Sequence, residues 1–526
     1  MRLLATKPGH DGSLAYVVDG RLAFSFEAEK DSGRRYAPLD SSGIVHALEH
    51  VCGIPDALVL SGWATGSDFA GRPVGAGYIG LEEPRSSHIA LLGHRLRLVT
   101  SSHERSHLLC AYALSPYPQG QPCYALIWEG RIGAFYEISG GMEITRLAEI
   151  MVAPGIRYAF AYALADPSFS LGPGQIRLGD SGKLMALAAY EDVAEPESDE
   201  NLLLDRLFGT LHETPRFLKA DFRQFKVVNS GVQSVHSKRL ARLVSDRLFE
   251  IFYERIKPLI IDQRPLLIAG GCGLNCEWNR RWLDAGLFSD VFVPPCPNDT
   301  GSAIGSAADA QWHLTGNAKL HWSVYCGQPF FDDLGYKATT QLGPFRKCGD
   351  DVGTVAVALR SGAVLGLVAG RAEMGPRALG NRSIVAAPFQ RSMLDRLNAI
   401  KKREPFRPIA PVCLEEDMKE HFDLPCPSPY MLHFARVKSS LLGATTHVDG
   451  SARVQTVSAR QNASLHGLLS SFKVVTGVGV LCNTSLNFNG AGFINRTSDL
   501  VTYASETGLD GFVIDGTFFR RDSDRM

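Results

Sequence analysis

No run of about 18 consecutive uncharged apolar residues occurs in the chain, so a helix that crosses a bilayer is not expected. The first ten residues, Met1-Arg-Leu-Leu-Ala-Thr-Lys-Pro-Gly-His10, lack the long apolar core of a secretory leader, and a reducing, cytoplasmic setting is the expectation. The eleven cysteines are scattered and odd in number, which argues against a disulfide framework. Cys272 and Cys276 have C-x3-C spacing, but no second Cys or His pair stands near them, and buried thiols are the better reading. Net charge is lacking too. At −1 over 526 residues there is no global attraction to nucleic acid or to an anionic membrane, so cationic chemistry has to be local. Two nucleotide signatures are also missing. Around Gly182-Lys183 the first glycine of a P-loop is absent and Leu184 replaces Ser or Thr, while Gly271-Cys-Gly273 fails the dinucleotide fingerprint at its third glycine. Neither simple repeats nor long low-complexity tracts are visible.

What is present is a globular composition, 45% hydrophobic and 21% charged, with length for two large domains. A strand from Arg2 to Ala5 leads to Gly9-His10-Asp11-Gly12. A second apolar run follows, then Asp19-Gly20, a strong hairpin signal, and the returning strand Arg21–Glu27. The segment Cys123 to Tyr136 repeats that plan, which predicts a duplicated α/β domain. Helical patterns cover Gly182 to Tyr190 and Val235 to Arg255. The buried strand Pro265 to Ala269 ends in Gly270-Gly271-Cys-Gly273-Leu-Asn275, a strand-to-helix turn at which a nucleotide could sit, with Gly271 and Asn275 as its contacts. From about His313 to Gly353 the periodicity breaks into a Gly/Pro/aromatic-rich passage that reads as an interdomain connection. Strands are predicted beyond it near 363–369, 384–387, 431–436, 453–457 and 478–482, in a separate α/β unit.

In Ser101-Ser-His103-Glu104-Arg105-Ser-His107-Leu108 the two histidines stand four apart, so on a helix their rings share one face. That is metal-ligand spacing, although a polar helix produces it by accident as well. A third ligand must come from elsewhere, and Asp299, in a loop before a helix, is a good candidate because it should be exposed and accessible. Two imidazoles and a carboxylate suit iron(II) or another divalent transition ion. His10 and Asp11 lie at the tip of the first hairpin. Asp11 is accounted for as a turn residue, whereas an exposed His10 beside a phosphate loop could act as a general base.

The second half carries Gly370-Arg371-Ala-Glu373-Met-Gly375-Pro-Arg377-Ala-Leu-Gly380-Asn381-Arg382-Ser383 directly after an apolar run. Its glycines allow tight turns and close backbone approach, and arginine forks bind phosphate or carboxylate bidentately. Surface arginines paired with local acids are the plain alternative. Three donor-rich segments follow: Lys401-x-Arg403, Thr446-His447-Val-Asp449-Gly-Ser-Ala-Arg453, and Cys482-Asn-Thr-Ser485-Leu-Asn487. Together they supply enough positive charge to neutralise a triphosphate or an acyl phosphate.

These motifs, with Gly182-Lys-Leu-Met-Ala, Asn298-Asp-Thr-Gly-Ser-Ala-Ile-Gly305 and Arg407-Pro-Ile-Ala-Pro, occur in an order that resembles the ATP-dependent O-carbamoyltransferases of antibiotic and nodulation-factor biosynthesis. The likeness spans essentially the whole chain and is strongest to the 3-hydroxymethylcephem carbamoyltransferase branch. The resemblance implies an actin-like or sugar-kinase-like ATPase domain at residues 1–340 and a YrdC-like α/β domain at 350–526. The YrdC-like domain would use ATP with magnesium and carbamoyl phosphate to make carbamoyl adenylate. The first domain, holding an iron, would transfer the carbamoyl group to a hydroxyl of a small-molecule acceptor. Carried over, Lys401, Arg403, Ser485 and Asn487 match the nucleotide signature. Arg371, Arg377, His447 and Arg453 would contact carbamoyl phosphate or adenylate, and His103, His107 and Asp299 would hold the metal. His10 and Asp11 are the catalytic candidates on the first hairpin.

Two departures from the family pattern stand out. Glu104 and Leu108 occupy positions that are usually His and Ala, and Trp128-Glu129-Gly130 replaces a common Asp-Gly-x-Gly. Two rival readings share parts of this layout. A tRNA threonylcarbamoyl-type transferase would need the basic stripe the chain lacks. A nonenzymatic nucleotide switch would bind ATP without needing carbamoyl phosphate. No nucleic-acid or membrane partner is expected. The acceptor alcohol and the oligomeric state, a homodimer included, are left open.

Overall fold

The computed structural model describes the whole chain except residues 32, 63–65, 70, 71, 75, 193, 194, 489 and 523–526, and describes backbone alone for 66–69 and 72–74. It is a mixed α/β structure that divides into two compact units. One comprises Met1–Leu114, Pro294–Thr446 and Gly450–Met526; the other comprises Ser115–Val293 with His447–Asp449.

The first unit holds a six-stranded sheet in the order Arg21–Glu27, Ser13–Val18, Arg2–Lys7, Ala57–Ser61, His94–Ser101, Arg85–Leu91. Its first three strands form an antiparallel meander, and the next two run parallel to the first. Asp19 and Gly20 both have positive φ, 47° and 77°, which is the twist a two-residue hairpin turn needs.

The same unit contains a ten-stranded sheet in the order Gln341–Leu342, Phe345–Gly349, Thr517–Arg521, Gly511–Ile514, Leu365–Val368, Arg382–Ala386, Val480–Ser485, Ala410–Leu414, Ser451–Val457, His433–Arg436. Its central strands read as continuous apolar runs because both faces are covered: Ile384 and Ala386 enter one core cluster, Val385 and Ala387 another. The passage expected to be a connector therefore supplies two strands of this sheet, with Phe345 fully buried. Its edge strands are too short and irregular to show a period of two.

In the second unit a five-stranded sheet runs Ile144–Val152, Ile132–Ile138, Cys123–Trp128, Leu266–Ala269, Val291–Phe292. It repeats the plan of three antiparallel strands followed by two parallel ones. The helix Val235–Ile256 lies where its three-to-four spacing predicts, capped by the Ser234 hydroxyl accepting from the Ser237 amide. No helix among the described residues is long and apolar enough to cross a membrane.

Candidate functional site

The helix His103–Leu114 begins where the Ser102 hydroxyl accepts the Arg105 amide at 3.0 Å, and all of its side chains are buried. One turn apart, His103 and His107 present their rings edge to face at 4.5 Å with their Nε2 atoms 3.1 Å apart. Asp299 sits in the 3-10 turn Asp299–Gly301 that leads into the helix Ser302–Thr315, with Oδ1 3.6 Å from His103 Nε2 and 3.4 Å from His107 Nε2. The expectation of an exposed carboxylate is corrected, since Asp299 is only 5% exposed. Burial alone would raise its pKa, but His103, Lys7 and His107 hold the carboxyl well below the usual range. Lys7 is fully buried and places Nζ 3.0 Å from Asp299 Oδ2. Three donors, two imidazole nitrogens and a carboxylate oxygen, thus converge in a set that fits a divalent transition ion.

This convergence depends on a lock between two helices. Arg105 forms a bidentate pair with Asp309, Nε to Oδ2 at 2.9 Å and Nη2 to Oδ1 at 2.5 Å, and both residues are buried. The Ser101 hydroxyl donates to the same carboxylate at 2.5 Å. Gly305 faces the Ser106 carbonyl so closely that a Cβ would lie 1.7 Å from its oxygen. Glu104 is buried and accepts the Gly80 amide at 2.8 Å. None of these partners is legible from spacing, because each lies about 20 or more residues from the residue it fixes.

The first hairpin brings His10 and Asp11 to the same place. His10 Nδ1 is 3.4 Å from Asp299 Oδ2, and its side chain is 42% exposed. Asp11 adopts φ 50° and accepts from Asn298 Nδ2 at 3.3 Å. Burial, then the charges of Asp299 and Glu29, push its carboxyl up to about 7.

The glycine and arginine loop is organised around a carboxylate of its own. Glu373, fully buried, accepts the amides of Leu379, Asn381 and Arg382 on a single oxygen, Oε1. Gly370, Gly375 and Gly380 all have positive φ, and a Cβ on Gly375 would stand 2.0 Å from the Pro295 carbonyl oxygen. Arg371 donates to the carbonyls of Gly327, Ala23 and Cys326 at 2.8, 3.0 and 2.8 Å. Arg382, fully buried, donates to Asn495 Oδ1 and to the carbonyls of Ala369, Asn381 and Gly370. These two arginines therefore hold backbone. Glu373 is the only acid in the loop, and that was the one sequence signal for its role.

Beside the loop the structure collects cations. Lys401 is buried and donates Nζ to the Ser485 carbonyl at 2.6 Å and the Asn487 carbonyl at 3.1 Å, while the Ser485 hydroxyl donates to Asn487 Oδ1 at 2.7 Å. Burial, with Arg403, Arg407 and Arg35 nearby, holds the Lys401 pKa well below its ordinary value. Arg403 donates Nε to Asn398 Oδ1 at 2.6 Å, and burial with Arg407 and Arg453 brings its pKa down to about 9. Arg407 in turn senses Arg35 and Arg377. Lys401, Arg403, Ser485, Asn487, Arg377 and Arg453 are thus neighbours, as the motif order suggests, and Arg35 and Arg407 are additions that sequence reasoning did not single out.

In the second unit, Asn275 caps the helix Cys276–Asp284, its Oδ1 accepting the Glu277 amide at 3.1 Å, and Gly271 opens the preceding 3-10 turn. Trp128 stacks between Phe252 and Trp278, each at 4.5 Å. His447, grouped with this unit, places Nε2 3.0 Å from the Ala186 carbonyl oxygen and meets Tyr190 edge to face.

The family model described as "Carbamoyltransferase N-terminus" matches residues 92–308, and "Carbamoyltransferase C-terminus" matches 356–521. The chain belongs to the carbamoyltransferase family. Within this family it is 45% identical to a 3'-hydroxymethylcephem-O-carbamoyltransferase of Amycolatopsis lactamdurans and 44% identical to one of Streptomyces clavuligerus, with 99% of each chain covered in both cases. It is also 34% identical to Nodulation protein U of Rhizobium tropici, over 94% of this chain and 92% of that protein. Both family models fall on motifs described above: the N-terminal one spans His103, His107 and Asp299, and the C-terminal one spans the arginine loop and the cationic cluster.

Proposed function

We propose that the chain is an O-carbamoyltransferase that uses ATP and carbamoyl phosphate to make carbamoyl adenylate and passes the carbamoyl group to a hydroxyl of an antibiotic-type acceptor. The observation that carries the first half-reaction is the cluster of Lys401, Arg403, Arg407 and Arg453: burial, then the charges of Arg403 and Arg407, lowers the pKa of Lys401, and burial, then Arg407 and Arg453, lowers that of Arg403. Lys401 is buried and the three arginines are half-buried, with Glu404 the acid beside Arg407, and such a concentration of positive charge is costly unless further anions are held among it. A triphosphate and an acyl phosphate meet that need, and Arg377, on a loop preorganised by Glu373, stands on the same side of the charge balance. Residues 350–526, read as YrdC-like, would form the adenylate; residues 1–340, read as actin-like, would carry out transfer.

The carbamoyl carbon is a poor electrophile, and a mixed anhydride supplies it with a leaving group. His103, His107 and Asp299 would hold a divalent transition ion, iron(II) in our reading, which when bound polarises an oxygen of substrate. His10, half-exposed and 3.4 Å from Asp299, would take the proton of the attacking alcohol, with Asp11 beside it. Gly271 and Asn275 remain candidate adenylate contacts at a helix N-terminus, and His447 and Arg371 candidate contacts only if they exchange the carbonyl partners they now have.

The test is pyrophosphate release with and without carbamoyl phosphate, followed by mass spectrometry for one carbamoyl group on candidate alcohols. Release that depends on carbamoyl phosphate is expected. Arg377→Ala should lower it by two orders of magnitude or more while metal content stays at the level of the parent protein. His103→Ala should do the reverse, losing metal and keeping adenylate formation. ATP turnover indifferent to carbamoyl phosphate would favour a nucleotide switch instead.

A further inference from the structure

Lysine is a side chain that folded proteins almost never bury outright, yet Lys7 has no exposed surface. It closes the strand Arg2–Lys7, where it pairs with Ser13 across the first hairpin, and its ammonium donates to the His10 carbonyl at the hairpin tip. The same nitrogen stands 3.0 Å from Asp299 Oδ2. The two oxygens of Asp299 are thereby divided. Oδ1 faces the Nε2 atoms of His103 and His107, and Oδ2 faces Lys7 together with His10 Nδ1 at 3.4 Å.

The usual outer partner of a metal-ligating histidine accepts its proton and so makes it a better donor. Lys7 acts on its ligand in the opposite sense. A cation beside Oδ2 draws charge away from the carboxylate, weakens Oδ1 as a donor and repels a second cation approaching that oxygen. The effect is large because both groups are buried, where solvent screens poorly. The ammonium also limits how the carboxylate can bind. Carboxylates hold cations through one oxygen or through both, and an oxygen engaged by Lys7 is not offered to an ion.

We propose that Lys7 is a positioning residue that keeps Asp299 a one-oxygen ligand and holds down the affinity of the site for its divalent ion, so that a coordination position stays open for a substrate oxygen. The assignment rests on the reading of His103, His107 and Asp299 as metal donors, and it adds what sets their strength and number. Since the same ammonium holds the His10 carbonyl, one side chain fixes both the acidic ligand and the backbone of the candidate base. Without Lys7, Asp299 is free to turn both oxygens toward the ion, which tightens binding at the position the acceptor needs.

Cobalt(II) is a suitable probe, because its visible absorption weakens as its coordination number rises. It is titrated into the metal-free, full-length parent protein, Lys7→Met and Lys7→Gln, the last keeping a donor for the His10 carbonyl in case the apolar replacement fails to fold. Both variants should bind cobalt(II) at least about tenfold more tightly than the parent, the reverse of what a disordered site would do. Their visible absorption per bound ion should fall. Cobalt(II) bound equally or more weakly by a variant that still unfolds cooperatively in urea overturns the assignment, and so does an absorption per ion equal to that of the parent. A parent protein that takes up no cobalt(II) overturns the metal reading together with it, and leaves pyrophosphate release dependent on carbamoyl phosphate as a separate result.

Discussion

Lys401 shows how much a single side chain can report. Its ammonium is buried near Arg403, Arg407 and Arg35, and burial before like charge disfavours its protonated form in the free protein. A bound polyphosphate supplies negative charge and raises the pKa, so the complex takes up protons wherever the pH lies between the free and the bound value. The expected outcome is net proton uptake on Mg-ATP binding, read as a dependence of the apparent enthalpy on buffer ionisation at a pH where the terminal phosphate is already ionised. Lys401→Met should abolish that dependence; proton release in the parent protein would contradict the placement of ATP at this lysine. Glu373 teaches a different lesson at the same scale. A glycine-rich, arginine-rich loop invites the reading of an anion cradle, and the anion its backbone amides hold is the loop's own carboxylate. Composition alone could not separate the arginines that hold backbone, Arg371 and Arg382, from Arg377, whose charge acts on Arg407 in the cationic cluster.

Among the elements, the pair of helices His103–Leu114 and Ser302–Thr315 carries the candidate metal centre. Histidine spacing made the first half legible, and the turn before the second helix suggested Asp299. What the spacing could not contain is the distance between the two helices, which Gly305 permits and the Arg105–Asp309 pair holds. Asp309→Asn leaves a buried guanidinium without its counter-charge, a change that costs about 3–5 kcal/mol. The expected result is an unfolding midpoint shifted to lower denaturant and a loss of bound transition metal, although Asp309 is not one of the three donor residues. Metal content unchanged in a destabilised Asp309→Asn protein would show that the donors converge without the lock. Strands were easier to read than this contact. The runs near 363–369, 384–387 and 478–482 are apolar on both faces because helices cover both faces of their sheet, and they appear within a few residues of the expected positions. The strands at 341–349 were missed because edge strands carry little alternation.

For the whole molecule, residues 313–353 decide whether the chain is two domains on a tether or something more continuous. A tether would be indifferent to an aromatic side chain within it. Phe345, however, is fully buried in the same core cluster as Val368, Ile384 and Phe519, and Tyr336 donates its hydroxyl to Asp515 at 3.0 Å. Phe345→Ala in the full-length protein should therefore cost about 3–5 kcal/mol in urea unfolding, whereas a connector predicts almost no change.

The strand Arg21–Glu27 and the turn after it reach across the sequence to the arginine loop. The Ala23 carbonyl accepts from Arg371, Glu27 accepts the Gly375 amide at 2.6 Å, and Lys30 donates to the Glu373 carbonyl. The arginine loop is thus stitched to the first hairpin by residues some 340 positions apart in sequence. Recombination that exchanged only the last third of the coding sequence with that of a distant relative would separate the loop from the strand that shapes it. Heredity must pass these two stretches on together, and a working chimera needs both cut from the same parent.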